Sequence, residues 1–181
     1  MRLDRNQCLC VAIDLQSSIL AHMDESERVL HQSSVLLKGM RILGIPIMVT
    51  EQCPKGLGPT AKEIQDILGE RQRYLPKRAF GVLDDDQFAH LLHETGKHTL
   101  VLLGIEAHIC LLQSVVDLQE KGYQCVVVAD AISSRGKKDA EVALLRMQKE
   151  GAILTTTESV LFELLKTSTI PEFKEISKLI K

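Results

Sequence analysis

The chain has 181 residues, a formal net charge of −2 at pH 7 and only 3% aromatic residues. This length suits a single core, so we predict one domain over residues 1–181. The slight negative charge provides no basic field for nucleic acid or anionic lipid, and so few aromatic residues argue against a base-stacking surface. We therefore expect neither a nucleic-acid nor a membrane partner.

Short apolar runs alternate with helical patterns along the chain. The predicted strands cover residues 8–14, 45–50, about 75–80, 99–104, 123–128 and 152–155. The predicted helices cover residues 26–43, a short stretch opened by a capping-box pattern at 60–63, 84–94, 108–121, 138–150 and two stretches near the carboxyl end. Residues 51–59, with two glycines and two prolines, are predicted to form an irregular loop.

This alternation, with strands that are apolar almost throughout, predicts a parallel sheet covered on both faces. The expected fold class is a three-layer, doubly wound α/β sheet of about six mainly parallel strands in the order 3-2-1-4-5-6. In that order the first and fourth strands are neighbours at the switch point, where ligands bind beyond the carboxyl ends of the strands. Asp14 ends the first strand and Cys110 follows the fourth, so both face one crevice, with Lys77 of the third strand nearby.

These three residues have chemistry that suits a crevice. Cys110 lies on the turn into a helix, whose amides favour a thiolate and lower the thiol pKa; the alternative is a small buried apolar residue. Asp14 next to a thiol is a candidate general base, and otherwise a cap or surface residue. Lys77 alone would be an ordinary surface lysine, but beside both groups its ammonium would stabilise the thiolate.

Three sequence blocks, at residues 12–16 (AIDLQ), 75–80 (LPKRAF) and 104–110 (GIEAHIC), resemble the isochorismatase-like cysteine hydrolase superfamily. Residues 50–60 and 130–135 add support, and the similarity extends over roughly residues 7–165. The resemblance is to the branch of small isochorismatase-domain proteins. It implies an isochorismatase-like hydrolase domain with a catalytic triad of Asp14, Lys77 and Cys110.

The resemblance also implies a cis peptide shortly before the cysteine, at Glu106–Ala107 by position. The amides of Ala107 and Cys110 would then form the oxyanion hole. Further candidates for contact with substrate are Gln16, Gln52, Phe80, Glu106 and His108. For His108, a place at the helix start or in the core is the alternative.

Two departures from better-known branches limit what the resemblance implies. Members that bind a metal carry histidines after the second strand, whereas residues 51–60 contain none, so we predict no metal. Members with known amide substrates carry Asn-Asp-Phe where Ser17, Ser18 and Ile19 stand, so their substrate does not carry over. Because the first strand is followed by neither a glycine-rich phosphate loop nor a similar motif, we also predict no cofactor.

The function expected from the sequence is hydrolysis of a small amide-type substrate through a thioester on the cysteine. A non-catalytic scaffold and a redox-sensing thiol protein are the alternatives. A homo-oligomer is expected from the resemblance and from the apolar run at residues 160–165 (VLFELL). Five cysteines without paired spacing, and no evident signal or membrane segment, predict a cytoplasmic protein with an organellar address left open.

Overall fold

The computed structural model describes residues 2–181 and contains one six-stranded sheet. Its strands are β1 Cys8–Ile13, β2 Ile47–Gln52, β3 Tyr74–Lys77, β4 Thr99–Ile105, β5 Gln124–Ser133 and β6 Ile153–Thr155. They lie in the order β3-β2-β1-β4-β5-β6, and each neighbouring pair is parallel. The predicted fold class and strand order are therefore confirmed.

Helices cover both faces of the sheet. They are α1 Ser17–Leu20, α2 Ser26–Ile42, α3 Pro54–Leu57, α4 Lys62–Leu68, α5 Asp86–Thr95, α6 Leu112–Glu120, α7 Lys137–Lys149, α8 Thr157–Leu165 and α9 Phe173–Leu179. A 3₁₀ turn at Val82–Asp84 and a π turn at Ala107–Leu111 complete the helical structure. None of the helices in residues 2–181 combines the length and the apolar character that crossing a bilayer requires.

The buried side chains of β1 alternate between two cores, as the period of a strand requires. Cys8, Cys10 and Ala12 pack on the side of α2, α4 and α8, while the residues between them pack toward α5, α6 and α7. Every residue of β1 is therefore buried, and a polar group at its end has solvent access only beyond the sheet edge. Asp14 occupies that position.

Gly104 allows β1 and β4 to approach closely just before the crevice. Its φ is +119°, a region that side chains rarely adopt, and it pairs with Ile13 of β1. A methyl group on Gly104 would overlap the carbonyl oxygen of Ile13 and lie 2.8 Å from its carbonyl carbon. Glycine at this position thus keeps together the two strand ends that carry Asp14 and the segment leading to Cys110.

The capping box predicted at residues 60–63 is wrong. Helix α4 has Ala61 as its amino cap, and the Thr60 hydroxyl donates to Glu51 Oε1, 2.8 Å away. Glu63, the other member of the motif, instead accepts from Ser34 Oγ at 2.9 Å. Both side chains thus form hydrogen bonds with residues distant in the sequence, which a local sequence pattern does not reveal.

The apolar run at residues 160–165 packs inside the chain. Four of its members, Val160, Leu161, Leu164 and Leu165, are buried in the core, and only Phe162 is notably exposed. This run therefore does not provide the exposed apolar surface that was expected to favour an oligomer, because the core on the α2 side covers most of α8. Larger apolar exposure occurs on α7, where Val142 is 53% and Leu145 is 60% exposed.

Candidate active site

Asp14 lies directly beyond β1 with its side chain in the crevice. Its φ of 53° is in the left-handed region, which aspartate tolerates better than most residues and which often marks functional sites. The residue is 1% exposed, and Thr50 at the adjacent strand end donates its hydroxyl to Asp14 Oδ1 at 2.7 Å. The backbone turn and this hydrogen bond fix the direction of the carboxylate.

Lys77, the last residue of β3, forms a buried ion pair with this carboxylate. Its Nζ lies 2.7 Å from Asp14 Oδ2, and both side chains are 1% exposed. The ammonium also donates to Gln52 Oε1 at 2.6 Å and to the backbone oxygens of Ala79 and Phe80 at 3.2 and 3.1 Å. Its three protons thus have acceptors other than Asp14. Among the described residues, Asp14 Oδ2 accepts no well-aligned hydrogen bond and can still receive a proton.

Cys110 lies in the π turn that follows β4, and not in a regular α-helix over 108–121 as the sequence predicted. Such turns are frequent at functional sites. Burial, followed by the charge of Asp14, raises the pKa of the Cys110 thiol to about 12, and the charge of Lys77 opposes them. The lowered pKa expected from a helix amino end is therefore wrong, because burial and the carboxylate outweigh the amides and the ammonium. Cys110 is a neutral thiol at rest.

A cavity of 730 Å³ joins these groups and has the size of a small-molecule site. Its wall is made of Asp14, Ser18, Ile19, His22, Gln52, Leu57, Phe80, Ile105, Glu106, Ile109, Cys110 and Arg135. Polar and apolar side chains thus contribute to this wall in equal number. Lys77 does not belong to this wall and acts on the cavity through Asp14.

Three of the five predicted binding residues, Gln52, Phe80 and Glu106, line the cavity, whereas Gln16 and His108 do not. The Gln16 side chain accepts from the Gln52 amide at 2.7 Å and donates to the carbonyls of Gln52 and Gly58. These hydrogen bonds connect Gln52 and the loop after β2 to the segment that follows β1. They also occupy the polar groups of the Gln16 side chain. His108 instead pairs its Nδ1 with Ser134 Oγ at 2.8 Å.

The sequence did not predict the contact of Thr50 with Asp14, the part of the cavity wall from α1 or the position of Arg135. Ser18, Ile19 and His22 follow Asp14 closely, so the switch-point argument could have placed them at the crevice. Arg135 lies in the cavity wall and donates from Nη2 to Glu106 Oε1 at 3.0 Å.

The segment before Cys110 differs from the expectation at one bond. The cis peptide joins Ile105, the last residue of β4, to Glu106, one residue earlier than predicted. In the turn that follows, His108 N donates to Ser134 Oγ, and the amides of Ile109 and Leu111 donate to Glu106 O. Within residues 2–181, the amides of Ala107 and Cys110 donate to no group outside the turn.

In residues 2–181 no three His, Cys, Asp or Glu side chains converge as a metal site would require. The expectation of a metal-independent site, which came from the missing histidines of residues 51–60, remains a prediction.

The five cysteines, all free in the described chain, should differ in their reactivity toward iodoacetamide. We expect Cys53 to be alkylated first at pH 7 because it is exposed, and Cys110 more slowly because its pKa is raised to about 12. Peptide mass spectrometry over time on folded protein measures this order. A Cys53→Ser variant provides the control, since it removes the fast phase only. Faster labelling of Cys110 would mean that Lys77 ionises the resting thiol.

The sequence of this chain is similar to those of known proteins from one family. The isochorismatase domain pattern matches residues 8–159. Isochorismatase domain-containing protein 1 of Danio rerio is 44% identical over 146 residues, which are 81% of this chain and 51% of that protein. Isochorismatase domain-containing protein 2 of Homo sapiens is 38% identical over 168 residues, 93% of this chain and 80% of that protein. The chain thus spans about half the length of the first of these relatives.

Solved structures agree with the fold. A Caenorhabditis elegans protein described as MAR1 ribonuclease superposes with a TM-score of 0.93 at 36% identity, over 99% of this chain and 92% of that one. The YcaC gene product of Escherichia coli, described as an octameric hydrolase of unknown specificity, superposes with a TM-score of 0.88 at 22% identity. That match covers 98% of this chain and 95% of the other, and at this identity it supports the fold alone.

Proposed function

The chain belongs to the isochorismatase family, and we propose that it is a hydrolase that cleaves small amides with Cys110 as nucleophile. The observation that carries the proposal is Asp14, which lies in the wall of the cavity that holds Cys110. Lys77 pairs with Asp14 from outside that wall, and Asp14 Oδ2 has no aligned hydrogen-bond donor among the described residues. A carboxylate so placed is suited to take a proton from a thiol that does not ionise by itself.

In the first half of the proposed reaction, the Cys110 thiol transfers its proton to Asp14 Oδ2 as sulfur attacks the carbonyl carbon. The electron pair of the carbonyl moves to its oxygen, and the amides of Ala107 and Cys110 donate to that oxyanion. The carbon–nitrogen bond then breaks, and Asp14 returns its proton to the leaving amine. A thioester on Cys110 and a free amine remain.

In the second half, water enters the space left by the amine and gives a proton to Asp14. Its oxygen attacks the thioester carbon, the carbon–sulfur bond breaks, and the acid leaves. Asp14 returns the proton to the Cys110 sulfur, which restores the neutral thiol. Lys77 holds Asp14 in position through both halves and balances its charge whenever the carboxylate is ionised.

A screen of small primary and secondary amides tests this proposal. We expect amine release with the wild-type protein, a fall of about 10³-fold or more with Cys110→Ser, and an acyl adduct on Cys110 in quenched reactions analysed by mass spectrometry. Cys53→Ser, which changes the exposed thiol, serves as the matched control and should retain activity. Equal turnover by Cys110→Ser would rule out the nucleophile. No turnover on any amide would favour the scaffold or redox-sensor alternative.

A ribonuclease is the second candidate because the C. elegans relative is described as one. The net charge of −2 and the carboxylates of Asp14 and Glu106 in the cavity disfavour a polyanionic substrate. We therefore propose a small-molecule substrate and no nucleic-acid partner. We also propose that the protein has no membrane partner, no metal or cofactor, and a cytoplasmic location. Adding single-stranded RNA to the same screen tests the choice, since cleavage lost in Cys110→Ser would reverse it.

We also propose that the protein forms a homo-oligomer through the exposed side chains of Val142 and Leu145, which lie three positions apart on α7. The E. coli neighbour is described as octameric. We expect sedimentation at micromolar concentration to give a multiple of 20.2 kDa, and the double change Val142→Glu and Leu145→Glu to give the monomer. Glu141→Gln on the same helix is the control. A wild-type mass of one chain would contradict the proposal.

A further inference from the structure

A second cavity lies next to the active site. Its volume is 600 Å³, and its wall is formed by residues 53–56, 76–79 and 84–85, none of which lines the Cys110 cavity. Lys77 connects the two cavities, because it belongs to this wall and pairs with Asp14 of the other. The volume suits a small molecule. Apart from Lys77, no residue of this wall has a role in the proposed hydrolysis.

Charges of both signs line this second cavity without pairing. Lys55 lies in α3, and Arg78 directly follows β3. Asp84 and Asp85 immediately precede α5. Within residues 2–181, none of these four side chains forms an ion pair, whereas Lys77 is already paired in the active site. The wall thus offers two cations and two carboxylates whose charges a ligand can balance.

The acidic part of the wall has a further carboxylate behind it. A methyl group on Gly81 would lie 2.7 Å from Asp117 Oδ2 and 3.2 Å from Asp84 Oδ2, so both carboxylates lie beside this glycine. Burial, followed by the charge of Asp84, raises the pKa of Asp117. Asp84 therefore has a carboxylate as a neighbour and no ion-pair partner in the described chain, which favours an ammonium supplied by a ligand.

The rest of the wall is mostly small and apolar, and it includes Pro54, Pro76 and Ala79. We propose that the second cavity binds a small zwitterion, with its carboxylate beside the two cations, its ammonium beside the two aspartates and a short apolar chain between them. A ligand with a single charge would be attracted by one pair and repelled by the other, whereas a zwitterion is attracted by both. Such binding does not depend on hydrolysis at Cys110.

Matched probes test this by protein-detected NMR titration. The zwitterions are 4-aminobutanoate and 6-aminohexanoate, and each is compared with the carboxylate and the alkylammonium ion of the same carbon number. We expect at least one zwitterion to bind about fivefold more tightly than both of its one-charge analogues, which is the effect of one further exposed ion pair. Saturation with it should slow the alkylation of Cys53, in the cavity wall, about twofold or more, because the ligand covers the thiol.

Two double variants separate the two halves of the site. Lys55→Gln with Arg78→Gln should lower the affinity for the zwitterion to that for the alkylammonium ion. Asp84→Asn with Asp85→Asn should lower it to that for the carboxylate. Asparagine caps a helix as well as aspartate does, so α5 keeps its amino cap in this variant. Lys138→Gln, an exposed change of charge on α7, is the control and should bind as the wild type does.

Three results would overturn the proposal. One is a zwitterion that binds no more tightly than its one-charge analogues, and another is a double variant with the affinities of the wild type. The third is slower alkylation of Cys110 in place of Cys53, which would put the ligand in the other cavity. All three are read without amide turnover, so the failure of the proposed hydrolysis would leave this proposal standing.

Discussion

Asp14→Asn should abolish turnover and, in the same protein, make Cys110 react faster with iodoacetamide. The two effects have opposite directions because Asp14 has two influences on the thiol. As a base it accepts the thiol proton during catalysis, and removing a general base typically lowers the rate about 10²- to 10⁴-fold. As a charge it is the second largest cause, after burial, of the raised pKa of Cys110. Asparagine removes both influences.

The gain in alkylation can be bounded. A pKa lower by one raises the thiolate fraction at pH 7 about tenfold, but a less basic thiolate is a weaker nucleophile, so the rate rises about threefold. Around neutral pH the alkylation rate of both proteins should rise with pH, because the thiolate fraction grows while the pH stays far below the raised thiol pKa. The variant should remain the faster of the two across this range. The rate for Cys110 is followed by peptide mass spectrometry, alongside amide turnover.

Thr50→Val is the control within the site. It removes the hydrogen bond to Asp14 Oδ1 but leaves the carboxylate and its charge, so it should lower turnover only modestly. Asp66→Asn, an exposed carboxylate on α4, should change neither quantity. If Asp14→Asn lowered turnover and alkylation together, Asp14 would serve to keep the thiol in place, and the general-base role would be lost.

The positions of Asp14 and Cys110 could be predicted from the sequence because they depend on topology. Apolar runs define β1 and β4, the alternation with helices defines a parallel sheet, and the strand order then brings both strand ends to one edge. None of these three steps depends on which side chains contact one another. Lys77 is different: the sequence placed β3 nearby, but the contact of its Nζ with Asp14 Oδ2 depends on where that strand ends.

Side-chain partners from distant parts of the chain account for what could not be predicted. Gln16 was predicted to contact substrate, yet its side-chain amide forms hydrogen bonds with the backbone of Gln52 and Gly58. Glu51 takes the Thr60 hydroxyl that would have capped α4. The direction of the Cys110 pKa was wrong for a similar reason, since it depends on the degree of burial and on the balance between two opposite charges. Local sequence patterns determine neither these hydrogen bonds nor the pKa of Cys110.

Lys77→Met should destabilise the fold strongly. The change leaves Asp14 as a buried carboxylate without a counter-charge and leaves Gln52 Oε1 and two backbone oxygens without their donor. Breaking a buried ion pair from one side typically lowers the free energy of unfolding by about 3–5 kcal/mol. Urea denaturation measures this loss, at one fixed protein concentration because assembly would add to the apparent stability.

The double variant Asp14→Asn with Lys77→Met separates a missing partner from poor packing. Asparagine removes the uncompensated charge, so the double variant should be more stable than Lys77→Met alone, by about 2 kcal/mol or more. Asp14→Asn alone should cost less than Lys77→Met, because the ammonium keeps its three other acceptors. If the two single losses simply added in the double variant, Lys77 and Asp14 would be energetically independent despite their 2.7 Å contact, and Lys77 would not act on the cavity through Asp14.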